Sequence, residues 1–274
     1  VPGDVSLLEK QRHQLFLHLL DERQFVSVPE MAELLKSSEA TIRRDIIKLA
    51  EQNQIQKIRG GAQALDRPGH GPRRPPLKGS PFLLDKEKHP EVKRQIAKRA
   101  VDLCEDGESI VINAGSSTYM MSEFLTDRKL QILTNSFFLA QDLAVNSDNQ
   151  ITIPGGELYR KQGIILSSFE NDTIQYYHAT KMFMGTPGVG DFGVMESDPL
   201  LIRAEQKLRK QSEQLVILAD SSKIGARSNF IFCPLEDVDI LITDKNAGDK
   251  AIAQFEREDI EVIIVDDESS EAEE

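Results

Sequence analysis

Three short polar motifs in the second half of the sequence each follow an apolar run that predicts a β-strand, at residues 115–118, 134–136 and 220–223. Hydroxyl groups and exposed backbone N–H groups at the start of a helix bind anions, and Lys223 adds a cation that can neutralise a phosphate. One such motif is more often a helix cap than a ligand site, but three at the strand ends of one sheet favour a pocket for a polyol phosphate. The candidate effector-binding residues from these motifs are Gly115, Ser116, Ser117, Thr118, Thr134, Asn135, Ser136, Asp220, Ser222 and Lys223. No P-loop pattern is present, which makes ATP a poor candidate.

A second group of residues near the N-terminus has the chemistry to bind DNA. In a helix predicted over residues 39–52, the apolar residues Ile42, Ile46 and Leu49 share one face, and a polar and basic set shares another. Arginine can read guanine with two hydrogen bonds and can also hold phosphates. Asp45 is expected to pair with a neighbouring arginine and orient it. The candidate DNA-binding residues here and in the hairpin that follows are Ser38, Thr41, Arg43, Arg44, Lys48, Lys57 and Arg59.

The elements around that helix predict a winged helix-turn-helix domain over residues 9–64. Residues 9–22 form an amphipathic helix, Pro29 suits the first turn of a second helix, and Ser38 is a good N-cap for the third. The alternating residues 55–59 followed by Gly60-Gly61 predict a basic hairpin, which is the layout of a wing. The alternative is a generic helical bundle whose basic residues are merely solvated, and the combination of a capped turn with a basic wing favours DNA binding.

The chain divides at a Pro/Gly-rich segment, residues 65–84, which we expect to be a linker. Charge is uneven across this division. Residues 1–64 balance nine basic against nine acidic residues, whereas residues 81–274 carry 20 basic against 35 acidic ones, so the net charge of −12 lies away from the N-terminus. An acidic protein can still bind DNA through a locally basic face, because salt screens distant charges. Residues 266–274 are predicted to be an acidic, disordered tail.

Residues 85–265 alternate predicted helices with aliphatic strands, which indicates an α/β domain with a mainly parallel sheet covered on both faces. In such sheets, ligands bind beyond the carboxyl ends of the strands. The glycine-rich loop at residues 184–190 is expected either to close over a ligand or to be just a turn.

Composition narrows the class of protein further. No apolar run is long enough to cross a membrane, the first residues lack a signal-peptide pattern, and two cysteines form neither a disulfide framework nor a metal-binding pattern. We therefore expect a cytoplasmic protein with no membrane partner, no cofactor, no metal and no catalytic residues.

Both halves of the sequence resemble the DeoR family of bacterial transcriptional repressors. The N-terminal resemblance is carried by residues 38–45 and by the Gly-Gly-Ala at 60–62, and the C-terminal one by residues 113–118, 134–136, 154–156 and 219–225. The resemblance adds Gly155 and Gly156 to the effector candidates. It implies a sensor domain similar in fold to ribose-5-phosphate isomerase, a phosphorylated sugar as inducer, a homo-oligomer (dimer or tetramer), and control of a catabolic operon.

One segment departs from the common family pattern. Residues 196–207 look closer to the branch containing the ascorbate-utilisation repressor, which leaves a sugar-acid phosphate or a sugar-phosphodiester opine open as the inducer. Asp198, Arg203 and Glu205 are pocket candidates from this segment, although Arg203 and Glu205 would equally suit a solvated helix face.

The leading hypothesis is thus a repressor of a carbohydrate or opine catabolic operon that a phosphorylated sugar-type inducer releases from double-stranded operator DNA. A competing hypothesis is a sugar-phosphate isomerase with an appended helical domain, in which Asp220 and Lys223 would be the base and the electrophile. A transcriptional activator is the third alternative.

Overall fold

The computed structural model describes residues 9–23, 25–64, 81–167 and 172–266, and the chain divides into two compact units, residues 1–75 and 76–274. Most of the predicted linker (65–80) and of the predicted acidic tail (267–274) lies outside the described residues. Residues 82–84, which the sequence analysis included in the linker, instead form the start of a short helix in the second unit.

The first unit is a three-helix domain with a small antiparallel sheet, as expected for a winged helix-turn-helix. Ser27 and Ser38 cap the second and third helices, accepting hydrogen bonds from Glu30 N at 3.4 Å and Thr41 N at 3.2 Å. Gly60 forms the hairpin turn with a φ of +86°. The elements are α1 (Glu9–Arg23), β1 (Phe25–Ser27), α2 (Val28–Leu34), α3 (Glu39–Glu51), β2 (Ile55–Ile58) and β3 (Gly61–Ala64), with strand order β1-β3-β2.

The apolar face of α3 is buried as the helical spacing predicts. Ile42, Ile46 and Leu49 are at most 3% exposed, and Phe16 and Leu20 of α1 are 1% exposed. The helix packs against α2 and β2. Its basic face is consequently left at the surface, which is where a DNA-reading helix requires it.

The second unit is built on a seven-stranded sheet in which every pair of neighbours is parallel, in agreement with the predicted fold class. The strand order is β15-β14-β12-β9-β4-β5-β6. Its strands are β4 (Ser109–Ile112), β5 (Gln131–Thr134), β6 (Gln150–Thr152), β9 (Ala179–Gly185), β12 (Ser212–Leu218), β14 (Ile240–Asp244) and β15 (Glu261–Val265).

Both faces of this sheet are covered by apolar layers. Ile110 and Ile112 of β4 pack into one layer with helices that include α5, whereas Val111 packs into the other with residues of α9 and α10. The aliphatic runs in the strand sequences are uninterrupted because successive side chains point into opposite layers, and both layers are apolar. The helices are α4 (Phe82–Lys86), α5 (Pro90–Asp102), α6 (Ser116–Tyr119), α7 (Ser122–Leu125), α8 (Phe137–Asn146), α9 (Pro199–Arg209) and α10 (Asp249–Arg257). Among the described residues, no helix combines the length and apolarity that a membrane span needs.

Two small antiparallel sheets were not predicted. One joins β7 (Glu157–Tyr159) to β8 (Ile164–Leu166), and the other has the order β10 (Val189–Gly190), β11 (Gly193–Glu196), β13 (Phe230–Cys233). The second sheet settles the alternatives left open for residues 184–190. Thr186 Oγ1 lies 2.8 Å from the carbonyl oxygens of both Gly188 and Met195 and shares its single proton between them, so this segment is a turn held between strands.

Candidate functional site

The sheet changes direction of winding between β4 and β9. From β4 the chain proceeds to β5 and β6 at one edge, whereas β9, β12, β14 and β15 extend to the other edge. The loops leaving β4 and β9 therefore separate at the carboxyl ends of these strands and open a crevice, which is where open α/β sheets bind ligands.

Asn113 ties the two sides of this crevice together. Its backbone N–H donates to Phe183 O at 3.0 Å, and its side-chain Oδ1 accepts from the backbone N–H of Gly185 at 3.1 Å. Its Nδ2 donates to Glu205 Oε1 at 2.9 Å. Asn113 is 1% exposed, so it fixes the shape of the crevice from beneath.

A cavity of about 360 Å³ occupies the crevice, a volume suited to a small metabolite. It lies within the second unit. The lining residues are Phe82, Asp85, Lys88, Lys93, Ala114, Gly115, Ser116, Ser117, Gln162, Ile164, Gly185, Thr186, Pro187, Glu196, Ser197, Leu201, Lys223 and Ser228.

Four of the effector candidates line this cavity: Gly115, Ser116, Ser117 and Lys223. They come from the loop after β4 and from the turn after β12, as expected for strand-end motifs. The helix that opens at Ser116 is only four residues long, so its dipole is small, and an anion would depend on the hydroxyls and on lysine.

The motif after β5 has a structural role instead. Asn135 Oδ1 accepts from Ala114 N at 2.8 Å, Thr134 Oγ1 accepts from Ser136 N at 3.0 Å, and Ser136 Oγ caps α8 by accepting from Leu139 N at 3.2 Å. All three side chains are buried, and none is on the cavity wall. Thr118 is similar, since its Oγ1 donates to Asn113 O at 2.8 Å.

The other effector candidates also lie off the cavity wall. Asp198 caps α9 by accepting from Leu200 N at 2.9 Å, and the carboxylate of Asp220 accepts from the backbone N–H and the hydroxyl of Ser222. Arg203 is exposed on α9, and Gly155 and Gly156 are exposed in the loop after β6.

Lys93 is a cavity residue that the sequence analysis missed. It is only 3% exposed, and its Nζ donates to the backbone carbonyl of Asp85. Burial lowers the pKa of Lys93, while Asp220 and Asp85 oppose that shift. The signal was present in the sequence, because Lys93 precedes Ile96, Ala97 and Ala100 at the spacing of the buried face of α5.

Glu196 gives the cavity wall an acidic group. It is 5% exposed, and burial raises its pKa, with the nearby Asp198 adding to the shift. Glu205 is 3% exposed, and burial together with the charge of Glu196 raises its pKa well above the usual range. Glu205 Oε2 has no hydrogen-bond partner among the described residues. This pair therefore favours holding a proton.

The cavity wall carries two lysines, Lys93 and Lys223, and a carboxyl group from Glu196 on β11. We call the two lysines the cationic region and Glu196 the carboxyl region, and the charges of Asp220 and Asp85 partly offset that of Lys93. A phosphate suits the first region, and hydroxyl groups suit the second, because a carboxyl group accepts hydrogen bonds from them.

The predicted DNA-binding residues all lie on the surface or at the edge of the first unit. Arg44, Lys57 and Arg59 are exposed. Arg43 Nη2 forms an ion pair with Glu39 Oε2 at 2.8 Å, and Lys48 Nζ forms one with Glu9 Oε1 at 2.7 Å. Ser38 and Thr41 are joined by a hydrogen bond of 2.8 Å between their hydroxyls at the start of α3.

Asp45 has a structural role, but its partners are not the arginines beside it. It is 2% exposed and accepts hydrogen bonds from Arg12 Nε at 2.5 Å, Arg12 Nη2 at 3.0 Å and His13 Nε2 at 2.9 Å. Burial by itself would raise the pKa of Asp45, but the hydrogen bonds from Arg12 and His13 outweigh it and lower that pKa. Asp45 thus clamps α3 to α1.

Two family descriptions match the chain. Residues 12–67 match the DeoR-like helix-turn-helix domain, and residues 88–245 match the DeoR C terminal sensor domain. The two matches cover the first unit and the cavity-bearing sheet through β14.

The chain is also similar over nearly its whole length to proteins named HTH-type transcriptional regulator UlaR. The relatives from Shigella dysenteriae serotype 1, Shigella flexneri and Escherichia coli O1:K1 are each 35% identical over 259 residues, which is 94% of this chain and 100% of theirs.

Solved structures are less similar. Ribose 5-phosphate isomerase A from Methanocaldococcus jannaschii is 16% identical with a TM-score of 0.38, covering 50% of this chain and 55% of that one. Chaetomium thermophilum eIF2B beta is 16% identical with a TM-score of 0.38, covering 58% and 49%. Scores this low do not establish a shared fold, so the likeness of the sensor domain to the isomerase stays a prediction.

Proposed function

This chain belongs to the DeoR family of transcriptional regulators, and from that premise we propose that it represses a carbohydrate or opine catabolic operon until a phosphorylated sugar-type compound binds its sensor domain. It is a regulator and not an enzyme, since its whole-length relatives are named regulators and its N-terminal unit matches the family's helix-turn-helix domain. Residues 9–64 bind the operator in this proposal, and the second unit senses the compound.

The exposed basic face of α3 and the wing supports the DNA-binding half of the proposal. The N-terminal half of α3 carries Arg43 and Arg44, where a recognition helix contacts base edges in the major groove. Lys57 and Arg59 lie in the β2–β3 hairpin, which suits contacts with phosphates.

One observation carries the ligand-binding half: Lys93, Lys223 and the Gly115–Ser117 loop line one cavity at the point where the sheet reverses its order. A phosphate group can accept charge-assisted hydrogen bonds from both lysines, alongside the nearby carboxylates of Asp220 and Asp85. Glu196 lines the same cavity, and its carboxyl group can accept hydrogen bonds from hydroxyl groups of the ligand. We assign the phosphate to the lysines and a neutral polyol portion to the region of Glu196.

Release from DNA follows from a shift between two populations. The compound binds one arrangement of the sensor more tightly, and in that arrangement the DNA-binding domains of a homodimer or homotetramer no longer match the operator spacing.

A gel-shift experiment with the purified full-length protein and DNA upstream of its own gene tests this function. We expect the protein to shift the DNA band. We also expect one compound to abolish this shift, from a panel of sugar phosphates, sugar-acid phosphates and sugar phosphodiesters. Absence of a shift under every condition, with the fragment tiled across the adjacent genes, would overturn the repressor proposal. Lower transcription of those genes after deletion of this gene would indicate an activator instead.

The substitution Lys223→Ala tests the ligand site in the same assay. We expect the variant to stay on the operator at concentrations of the compound that release the wild-type protein, because the phosphate loses one of its two cations. Lys250→Ala, which removes an exposed cation from α10, is the matched control. Normal release of the Lys223→Ala variant would mean that the phosphate binds elsewhere.

A further inference from the structure

We propose that Lys93 and α4 form the contact through which a ligand in the cavity acts on the chain that leads to the DNA-binding domain. This inference rests on the proposed function and adds the route by which the bound ligand is read out. Helix α4 starts at Phe82, directly after residues 65–80, which continue the chain from the end of the wing. The position of α4 therefore decides where the chain leaves the sensor domain.

Aromatic packing holds the first turn of α4 on the sensor domain. The ring of Phe82 stacks on Phe138 at 4.6 Å between centroids and meets Tyr119 edge-on at 5.1 Å. The backbone N–H of Phe82 donates to Lys161 O at 3.2 Å. Lys86 Nζ lies 4.5 Å from the centroid of the Tyr119 ring, which adds a cation–π contact.

Lys93 holds the other end of α4. Its Nζ donates to the backbone carbonyl of Asp85, in the last turn of α4, from the buried face of α5. Phe82, Asp85 and Lys93 all line the cavity. The same ammonium group is thus both a support of α4 and a part of the cationic region of the ligand site.

A phosphate entering the cavity offers this ammonium group, which has three N–H donors, a charged acceptor in addition to the Asp85 carbonyl, and we expect Nζ to move toward it. The carbonyl is a neutral acceptor, and hydrogen bonds between two charged partners are roughly twice as strong. Lys93 is buried, which disfavours its charge, and Asp220 and Asp85 offset this only in part, since the pKa of Lys93 remains lowered. An anion therefore draws Nζ away from Asp85 O.

Loss of that hydrogen bond is enough to loosen α4. The helix has five residues, little more than one turn, and a helix this short has no stability of its own in water. Once the bond to Lys93 is lost, the aromatic contacts of Phe82 and the cation–π contact of Lys86 with Tyr119 remain as the anchors of α4. The occupied sensor domain then holds the outgoing chain less firmly than the empty one.

Hydrogen exchange on the full-length protein tests the contact without DNA. The probe is inorganic phosphate, compared with chloride at equal ionic strength. We expect amides of residues 84–88 to exchange about threefold faster or more in phosphate, while amides of α10 stay unchanged. Unchanged or slower exchange at residues 84–88 in saturating phosphate would overturn the proposal.

Variants test the readout. Lys93→Met keeps the length of the side chain and suits a buried site, but it cannot bond the Asp85 carbonyl. We expect it to bind the operator about tenfold more weakly than wild type with no ligand present, as if induced. Phe82→Ala loosens the same helix from its other end and should give the same loss, which covers the case that Lys93→Met does not fold. Lys250→Met is the matched control.

The outcomes separate this inference from the proposed function. If wild-type protein binds no operator, the repressor proposal fails, while hydrogen exchange still decides whether phosphate loosens α4. If wild type binds and is released normally, but Lys93→Met and Phe82→Ala both bind the operator as tightly as wild type, the readout through α4 is wrong and the repressor proposal stands.

Discussion

Two adjacent arginines on α3 differ in their surroundings, and this difference predicts unequal roles in DNA binding. Arg43 is paired with Glu39 at 2.8 Å, so it must exchange that partner for DNA, whereas Arg44 is exposed and forms no ion pair within the described part of the chain. We expect Arg44→Ala to weaken operator binding by about 1–3 kcal/mol if Arg44 reads a base. We expect a smaller loss for Arg43→Ala.

Fluorescence anisotropy with a labelled operator duplex measures both losses, and Lys250→Ala corrects for the change in net charge. Equal losses for the two arginine variants would contradict the unequal roles. A loss that is the same for operator and for a scrambled duplex would indicate that Arg44 contacts phosphates and not bases.

The carboxyl group of Glu196 predicts how the cavity discriminates between ligands. The buried pair of Glu196 and Glu205 favours holding one proton, and when Glu205 holds it, Glu196 is the ionised member and repels a second negative charge. We therefore expect wild-type protein to prefer glucitol 6-phosphate to 6-phosphogluconate, which differ only at the carbon far from the phosphate. Glu196→Gln should reduce that preference by about tenfold. Calorimetric titration of both compounds measures it, and a wild-type preference for the acid would contradict this role.

Some site residues could be predicted from sequence, and the reasons for the misses are physical. Ser116, Ser117 and Lys223 line the cavity as the sequence predicts, because a polar motif after an aliphatic strand lies at the carboxyl edge of a parallel sheet. Thr134, Asn135 and Ser136 have the same pattern, but their polar atoms are used by neighbouring backbone groups, which only the fold reveals. Lys93 was overlooked because a lysine in an amphipathic helix is usually solvated.

At the scale of elements, the strands that were predicted are those with uninterrupted aliphatic side chains, such as β4, β12 and β14. The central strand β9 was missed. It begins with Ala179, Thr180 and Lys181, and its last residues, Met184 and Gly185, had been assigned to the loop. A lysine is accommodated at position 181 of this central strand because its ammonium group pairs with Glu108 at 2.5 Å. Without β9, the reversal of strand order and the cavity beside it could not be located.

The clamp between α1 and α3 predicts a loss of stability when Asp45 is removed. Asp45→Ala leaves the Arg12 guanidinium, whose side chain is 11% exposed, without its carboxylate. Removing one partner of a fully buried pair typically costs about 3–5 kcal/mol, and because Arg12 is partly exposed we expect a smaller loss here. We expect the DNA-binding unit to unfold at lower temperature, and operator binding to weaken with it.

Differential scanning calorimetry at neutral pH measures this loss, and Glu51→Ala, which removes an exposed carboxylate from α3, is the control. The pKa of Asp45 is lowered in the folded protein, so its contribution is present above the unfolded pKa of about 4 and disappears as pH falls through the folded value. The difference between wild type and Asp45→Ala should therefore shrink in acid. Equal unfolding of the two at pH 7 would mean that the clamp contributes nothing.

For the molecule as a whole, charge restricts DNA binding to one small surface. The net charge is −12, yet residues 1–64 are balanced and residues 65–80 are basic, so the repulsion of DNA comes from the 35 acidic against 20 basic residues of 81–274. The affinity for DNA then depends on a few contacts from α3 and the wing. A modest change in how the sensor domains hold the DNA-binding units is therefore enough to release these units from the operator. Loosening of the five-residue helix α4 in the sensor domain is a change of this modest size.

The two-site arrangement makes a final prediction, because coupling between binding sites is reciprocal. If a compound from the sugar-phosphate panel weakens operator binding by a given factor at saturation, saturating operator must weaken binding of that compound by the same factor, typically about 5- to 150-fold. Titration calorimetry with and without operator duplex measures one factor, and anisotropy at saturating compound measures the other. A scrambled duplex of equal length is the control. If operator affinity keeps falling as the compound is raised, with no plateau, the compound and the DNA exclude each other directly, and sensing does not pass through the cavity at β4 and β9.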